Sequence, residues 1–199
     1  MDLSFSTIDT SKCTASLVVH NYETLDVVAR FNIHGTVSLP YKAGYLAFRE
    51  APILLKLLDL VKKDYVEVYP DVLITDSQGI WHPRGCGLAT HFAILSGIPC
   101  LGIAKNVLFV EDVSRESVKN TMIANAPNKG DSCKIITGSG KSLGWAYNST
   151  GTITKAIYVS PGSYISMNSC IEITKHMSKY RVVEAVRQAD LLSRMFVAI

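Results

Sequence analysis

Three carboxylates stand where hydrolytic chemistry would use them. Asp9 follows an apolar, strand-like opening that runs through Leu3, Phe5 and Ile8. Asp76 closes the short apolar run Val72-Leu73-Ile74-Thr75, and open α/β sheets place ligands at such strand ends. Glu50 lies at the head of a segment with helical spacing. If the strands before Asp9 and Asp76 are neighbours, the two share one end of a sheet and Glu50 leans over them. All-oxygen ligands suit a hard divalent cation such as Mg²⁺. A cation held this way activates water and clamps a phosphate, the requirements for phosphodiester hydrolysis. No His or Cys spacing points to Zn²⁺. Taken singly, an Asp after a strand also serves as a turn residue or a helix cap, so spacing alone leaves both readings open.

The elements that must position these groups follow from periodicity. Ala15 to His20 and Leu25 to Ile33 are β-branched runs joined by the polar Asn21-Tyr22-Glu23. With the opening run they predict an antiparallel meander. Leu54, Leu57, Leu58 and Val61 mark one helix face, with Lys62 and Lys63 at its end; Pro52 either starts that helix or kinks it. A second helix is predicted through Leu88, His91, Phe92 and Leu95, and a strand from Cys100 to Ala104. Alternating strands and helices imply parallel pairing there. Glu111 to Ser132 is polar. Later strands are predicted at Cys133 to Thr137, Gly144 to Tyr147 and Ala156 to Ser160, then helices at Ser169 to His176 and Val182 to Met195. The expected fold class is α/β: a mixed sheet, antiparallel meander then parallel strands, with helices on both faces. It resembles the ribonuclease H-like arrangement.

At 199 residues the chain is expected to form a single domain. Its 48% hydrophobic and 19% charged residues exclude wholesale disorder. A net charge of +3 is too small to identify a charge-driven nucleic-acid binder by itself. Five Cys with no C-x-x-C pair argue against a disulfide framework and fit a reducing cytoplasm. The opening Met1-Asp2-Leu3-Ser4 lacks a signal-peptide pattern. Residues 85–104 carry no charge, but Gly85, Gly87, His91 and Gly97-Ile98-Pro99 break the run, so no membrane span is expected.

Local words add to this. Pro40-Tyr41-Lys42-Ala43-Gly44-Tyr45-Leu46-Ala47-Phe48-Arg49-Glu50 resembles the stretch PYIPG-x-L-x-FRE of the endonuclease V family. Asp76 to Arg84 is similar to DG-x-G-x-x-HPR, Gly87 to His91 to G-x-A-SH, Gly102 to Lys105 to GVAK, and Val159 to Gly162 also fits. The ordered set covers the chain from about Phe5 to the last helix. The resemblance implies a Mg²⁺-dependent endonuclease, with Mn²⁺ as substitute, and inosine-containing DNA as partner, with RNA for some members. It implies a cut at the second phosphodiester bond 3′ to the lesion. The chain is expected to act as a monomer.

By position the resemblance casts Asp9, Asp76 and Glu50 as metal ligands, with Glu50 and Lys105 as catalytic groups. Pro40 and Tyr41 become the wedge that enters the duplex. Gly44, Leu46, Gly79 and Gly87 form the base pocket, and His82 and Arg84 meet nucleic acid. Each also has an ordinary structural reading: Tyr41 packed on the next helix, Lys105 as a solvated strand end, His82 and His91 as supports within the fold, Arg49 as a carboxylate's partner, Gly44 and Gly79 as turn residues.

Three positions depart from the family words. Lys42-Ala43 loosens and charges the wedge. Ser77 puts a side chain where the pocket expects none. Ser163 replaces a histidine that the resemblance places at the metal-bound water, and a serine hydroxyl is no base near neutral pH. Those departures motivate two alternatives, a non-catalytic binder of deaminated nucleic acid and a nuclease of relaxed base specificity.

Overall fold

The computed structural model describes residues 1–197. Strands β1 (Asp2–Phe5), β2 (Lys12–His20) and β3 (Val27–Thr36) form an antiparallel sheet in that order. A second sheet has the order β4-β5-β8-β7-β6, built from β4 (Leu73–Thr75), β5 (Cys100–Ala104), β6 (Ser132–Ile136), β7 (Ser142–Tyr147) and β8 (Ile157–Pro161). Among the described residues only β4 and β5 pair in parallel; β8 runs antiparallel to both β5 and β7. The meander is therefore as expected, while the parallel part is a single crossover through α2. The nitrogen of Met1 donates to the carbonyl of Ile74 at 2.6 Å, which sets the start of β1 beside β4.

Helix α1 (Leu46–Asp64) carries Pro52 inside it, so of the two readings of that proline the helix start is excluded. Pro52 sits early enough that its missing N–H removes one bond near the N-terminus and leaves the later turns intact. Ile53, Leu54, Leu57, Leu58 and Val61 are buried against Cys13, Ala15 and Leu17 of β2, and Leu88 and Phe92 of α2 (Leu88–Ser96) join the same core. On β5, Cys100 belongs to this core while Leu101 and Ile103 face another. That second core packs the sheet against Cys170 of α4 (Met167–Met177) and Ala185 and Val186 of α5 (Glu184–Met195). Period-two alternation thus gives β5 two buried faces and gives the sheet helices on both sides.

The polar stretch before β6 contains a helix, α3 (Arg115–Asn125), capped reciprocally by Ser114 and Ser117. Val118 and Met122 fasten it to Cys133, Ile135 and Leu143. Two buried positions in eleven make a thin apolar stripe, which explains why periodicity alone did not mark this helix. No described helix is long and apolar enough to cross a membrane; the uncharged run at 85–104 divides into a loop, α2 and β5.

One partly buried ion pair has the geometry to matter. Arg187 donates from Nε to Glu184 Oε2 at 2.8 Å and from Nη2 to Oε1 at 2.6 Å, and Gln188 adds a 2.8 Å bond. The Arg187 fork holds Glu184 down at about 2. A carboxylate depressed on folding contributes stability that is present above its unfolded value and lost as pH falls through the folded one. Glu184→Gln is expected to cost about 1–2 kcal/mol at neutral pH, with the difference vanishing near pH ~2. Urea melts of both proteins across that range measure it; a pH-independent difference contradicts the assignment.

Candidate active site

Asp76 and Lys105 owe their meeting to the one parallel pair. Thr75 of β4 lies opposite Gly102 of β5, so both strands end on the same side of the sheet. The chain places Asp76 one residue past β4 and Lys105 one past β5, and the Lys105 ammonium donates to Asp76 Oδ2. Glu50, in the first turns of α1, is turned toward them. Its carboxyl is pushed up to about 8, first by burial, then by the charges of Asp2 and Asp76, with Arg49 opposing.

The third carboxylate of this group is Asp2, which the sequence reading passed over in favour of Asp9. Asp2 opens β1, directly after the Met1 nitrogen that bonds Ile74, and Asp76 lies two residues beyond Ile74. Burial raises its carboxyl; a 2.7 Å bond from Ser193 opposes this, and Asp76 and Asp190 add like-charge repulsion. Asp9 is instead a turn residue between β1 and β2. The amide and hydroxyl of Ser11 donate to its Oδ1 at 3.0 and 2.6 Å and hold its carboxyl low. It is absent from the charges that act on Glu50. The expectation of Asp9 as a metal ligand is therefore corrected: strand β1 ends at Phe5, four residues too early to carry it to the cluster. The available signal was the alternation Asp2, Ser4 against Leu3, Phe5, which puts a carboxylate on the polar face of the first strand.

Ser163 is a second correction. Gly162 N–H donates to Cys100 at 2.7 Å, and Cys100 N–H donates to Ser163 at 3.2 Å. That register puts Ser163 at the start of β5, the opposite end of the strand from Lys105. A side chain there does not serve the carboxylate cluster. The acidic residue that approaches from the C-terminal part of the chain is Asp190 on α5, ion-paired to Arg194 at 2.7 Å.

A cavity of about 720 Å³ opens beside the cluster. Asp76, Ser77, Lys105, Gly44, Leu46 and Gly87 line it, and Tyr41, 68% exposed, stands at its rim. Tyr41 is not packed on α1. Gly44 holds a left-handed φ of +78°, and its carbonyl accepts from Arg84. The Arg84 guanidinium also lies 4.0 Å over the Tyr45 ring. His82 is buried, its pKa lowered chiefly by burial and by Arg84, and its Nδ1 accepts from Arg84 N–H at 3.2 Å. His82 and Arg84 thus anchor the loop that carries Pro40 and Tyr41. His91 stands edge-on to Phe48 at 5.1 Å on the cavity wall. Arg49 bonds the Thr10 carbonyl at 3.1 Å and covers the Phe5 ring, with no carboxylate partner among the described residues.

Two glycines expected to shape the pocket serve backbone crossings. A Cβ on Gly79 would lie 2.0 Å from the Pro161 carbonyl oxygen, and one on Gly87 2.2 Å from that of Gln78. Gly87 still lines the cavity; Gly79 does not. The hydroxyl of Ser77 is tied back to Thr75 at 2.7 Å, so it spends its hydrogen bond on the fold.

The donor set fits a hard divalent cation: carboxylate oxygens from β1, α1 and the loop after β4, with the Asp76 charge raising the buried carboxyls of Asp2 and Glu50, an imbalance such a charge relieves. As placed, no three His, Cys, Asp or Glu side chains among the described residues stand close enough to hold one ion. The Lys105 ammonium supplies the local positive charge.

Comparison with known proteins agrees with this fold. The family model described as Endonuclease V matches residues 1–191. Endonuclease V of Mus musculus is 36% identical over 197 residues, covering 99% of this chain and 58% of that protein; the chain thus spans little more than half that relative's length. The catalytic domain of human Endonuclease V superposes with a TM-score of 0.92 at 35% identity, covering 98% of this chain and 80% of that one. Ciona intestinalis Endonuclease V, solved in complex with a 23mer DNA containing an inosine followed by a ribo-adenosine, gives 0.90 at 28% identity, covering 98% and 83%.

The raised Glu50 carboxyl makes a stability prediction. A carboxyl whose pKa rises on folding adds stability that is full below its unfolded value and lost as pH climbs through the folded one, here about 8. In metal-free buffer the parent should lose stability between pH ~5 and ~9. Glu50→Gln should flatten that slope and be about 2–4 kcal/mol more stable at the alkaline end. Thermal melts in EDTA decide it; equal slopes contradict the buried-carboxyl reading.

Proposed function

The chain belongs to the endonuclease V family, and on that premise we propose that it is a metal-dependent endonuclease acting on inosine-containing DNA. The observation that carries the reading is the Asp76–Lys105 pair at the edge of the 720 Å³ cavity, with the buried carboxyls of Asp2 and Glu50 near enough to feel the Asp76 charge. Asp2, Glu50 and Asp76 would hold Mg²⁺, with Mn²⁺ as substitute. When bound, such an ion generates the water nucleophile and offsets charge on the phosphate.

The chain's own groups divide the remaining work. Lys105 offers a fixed ammonium to the charge that develops on the phosphate. Tyr41 is free to enter the stack as the base leaves it, and the loop behind it is braced by Arg84 and His82. Helix α1 starts at Leu46 with no side-chain cap; the Phe48 N–H donates back to the Tyr45 carbonyl at 3.2 Å, which leaves the N–H groups of Leu46 and Ala47, both on the cavity wall, without intrahelical partners. Donors there favour the carbonyl of hypoxanthine over the amine of adenine. The cut falls 3′ to the lesion, at the second phosphodiester bond. The ground for a non-catalytic binder was Ser163, and its place at the far end of β5 removes that ground. The ground for relaxed specificity was Ser77 and Lys42. Ser77 is tied to Thr75, while Lys42 lies over the Tyr45 ring at 5.0 Å, outside the cavity lining.

The test is Mg²⁺-dependent nicking of single-inosine DNA and RNA oligonucleotides beside undamaged controls. Asp2→Asn and Asp76→Asn should each lower the rate by roughly 10³-fold or more, since each removes a ligand oxygen charge. Asp9→Asn and Ser163→His should stay within about twofold of the parent, as surface changes away from the reacting groups do. No nicking with either metal, or full activity in Asp2→Asn, overturns the assignment.

A further inference from the structure

Beyond Lys105, on the side away from the base cavity, lies a second cleft of about 600 Å³ that the reading above leaves unused. Lys105 lines both. The wall of the second cleft carries three more cations, Arg115 and Lys119 from α3 and Arg181 from the segment before α5, against one acidic residue, Glu116; the remainder is neutral, including the buried Tyr158. Arg115 and Lys119 are one helical turn apart and share a face. The adjoining face of α3 is fixed in the core by Val118 and Met122, so the pair is presented by a rigid element. Arg181 is oriented by a 2.8 Å bond from its Nε to the carbonyl of Lys155. None of the three pairs with a carboxylate among the described residues. Unpaired cations gathered in one concavity seek a polyanion.

The order along the surface is what selects the ligand. A strand with a base in the first cavity and a phosphate at Lys105 must continue somewhere, and the basic cleft adjoins Lys105 directly. We propose that this cleft binds the phosphate backbone of the substrate strand downstream of the cut, on the 3′ side, through Arg115, Lys119 and Arg181. The inference rests on the nuclease reading and extends it by assigning an exit track for the strand. The contacts are to backbone charge, so they hold any sequence and any base and add affinity rather than inosine selectivity. The same physics makes them sensitive to salt.

The test uses the full chain and single-stranded DNA with one inosine, in two lengths: about ten nucleotides beyond the cut, and about two. Binding is followed by fluorescence anisotropy against KCl concentration, and nicking on gels. For the long strand, the Arg115→Ala/Lys119→Ala protein should bind roughly tenfold more weakly. The slope of log K against log salt should fall by about 1.4, the share of two single-strand phosphates. Nicking should show the loss in KM with kcat retained. For the short strand, parent and variant should coincide, which also shows that the variant is folded. Equal loss on both lengths, no loss on the long strand, or a loss that follows the 5′ flank overturns the exit track while the nuclease reading stands. A parent that neither binds nor nicks any inosine strand overturns both.

Discussion

Like charges held together in a poorly hydrated place dominate this structure. Asp2, Glu50 and Asp76 come from a strand, a helix and a loop, and the two packed most deeply, Asp2 and Glu50, resist ionising because of burial and because of the like charge of Asp76. A fold left to maximise its own stability would not gather them. The cost is tolerable because Lys105 covers Asp76 and Ser193 donates to Asp2, and because apolar packing on both sides of the sheet supplies the surplus. The same imbalance makes the site selective for an incoming divalent charge, which is how a destabilising cluster becomes useful.

Backbone proximity is the other constraint. The loop from Asp76 to Gly87 lies flat across the sheet, over β5 and against the end of β8. It approaches so closely that Cβ atoms on Gly79, Gly87 and Gly102 would sit 2.0–2.5 Å from carbonyl oxygens. Gly79 N–H donates to Ser160 Oγ at 2.8 Å, and Ile80 N–H to Pro161 at 2.8 Å. This flattening fixes where Asp76 leaves β4 and where His82 and Arg84 meet Gly44. The base cavity is thus shaped by backbone crossings as much as by its lining side chains.

Much of this was legible in the residues. The apolar runs located β4, β5 and the later strands within a residue or two, because buried strands leave continuous hydrophobic segments. Asp76 and Lys105 were legible as strand-end residues, and Glu50 as a helix-head carboxylate. Asp9 and Asp2 show the limit. Both are carboxylates near the first strand, and which one reaches the site depends on where that strand stops and on its lateral contact with β4, a long-range pairing that local alternation does not encode. Ser163 shows the same limit: its neighbour word fits the family, but only the antiparallel register of β8 against β5 reveals which end of the sheet it occupies. Pro52 left the start of α1 open, because a proline in an early turn is compatible with a helix that packing holds in place.

The central claim is that Asp2, Glu50 and Asp76 act as one charged unit that a divalent cation completes. Calorimetric titration of the protein with Mg²⁺, run near pH ~7 in buffers of different ionisation enthalpy, reads both the binding and the protons it releases. Glu50, raised to about 8, enters this titration largely protonated, so binding should release close to one proton. Asp2→Asn should weaken binding by at least about tenfold, and Asp9→Asn should leave both binding and proton release unchanged. Binding that survives Asp2→Asn intact, or that fails in Asp9→Asn, contradicts the account.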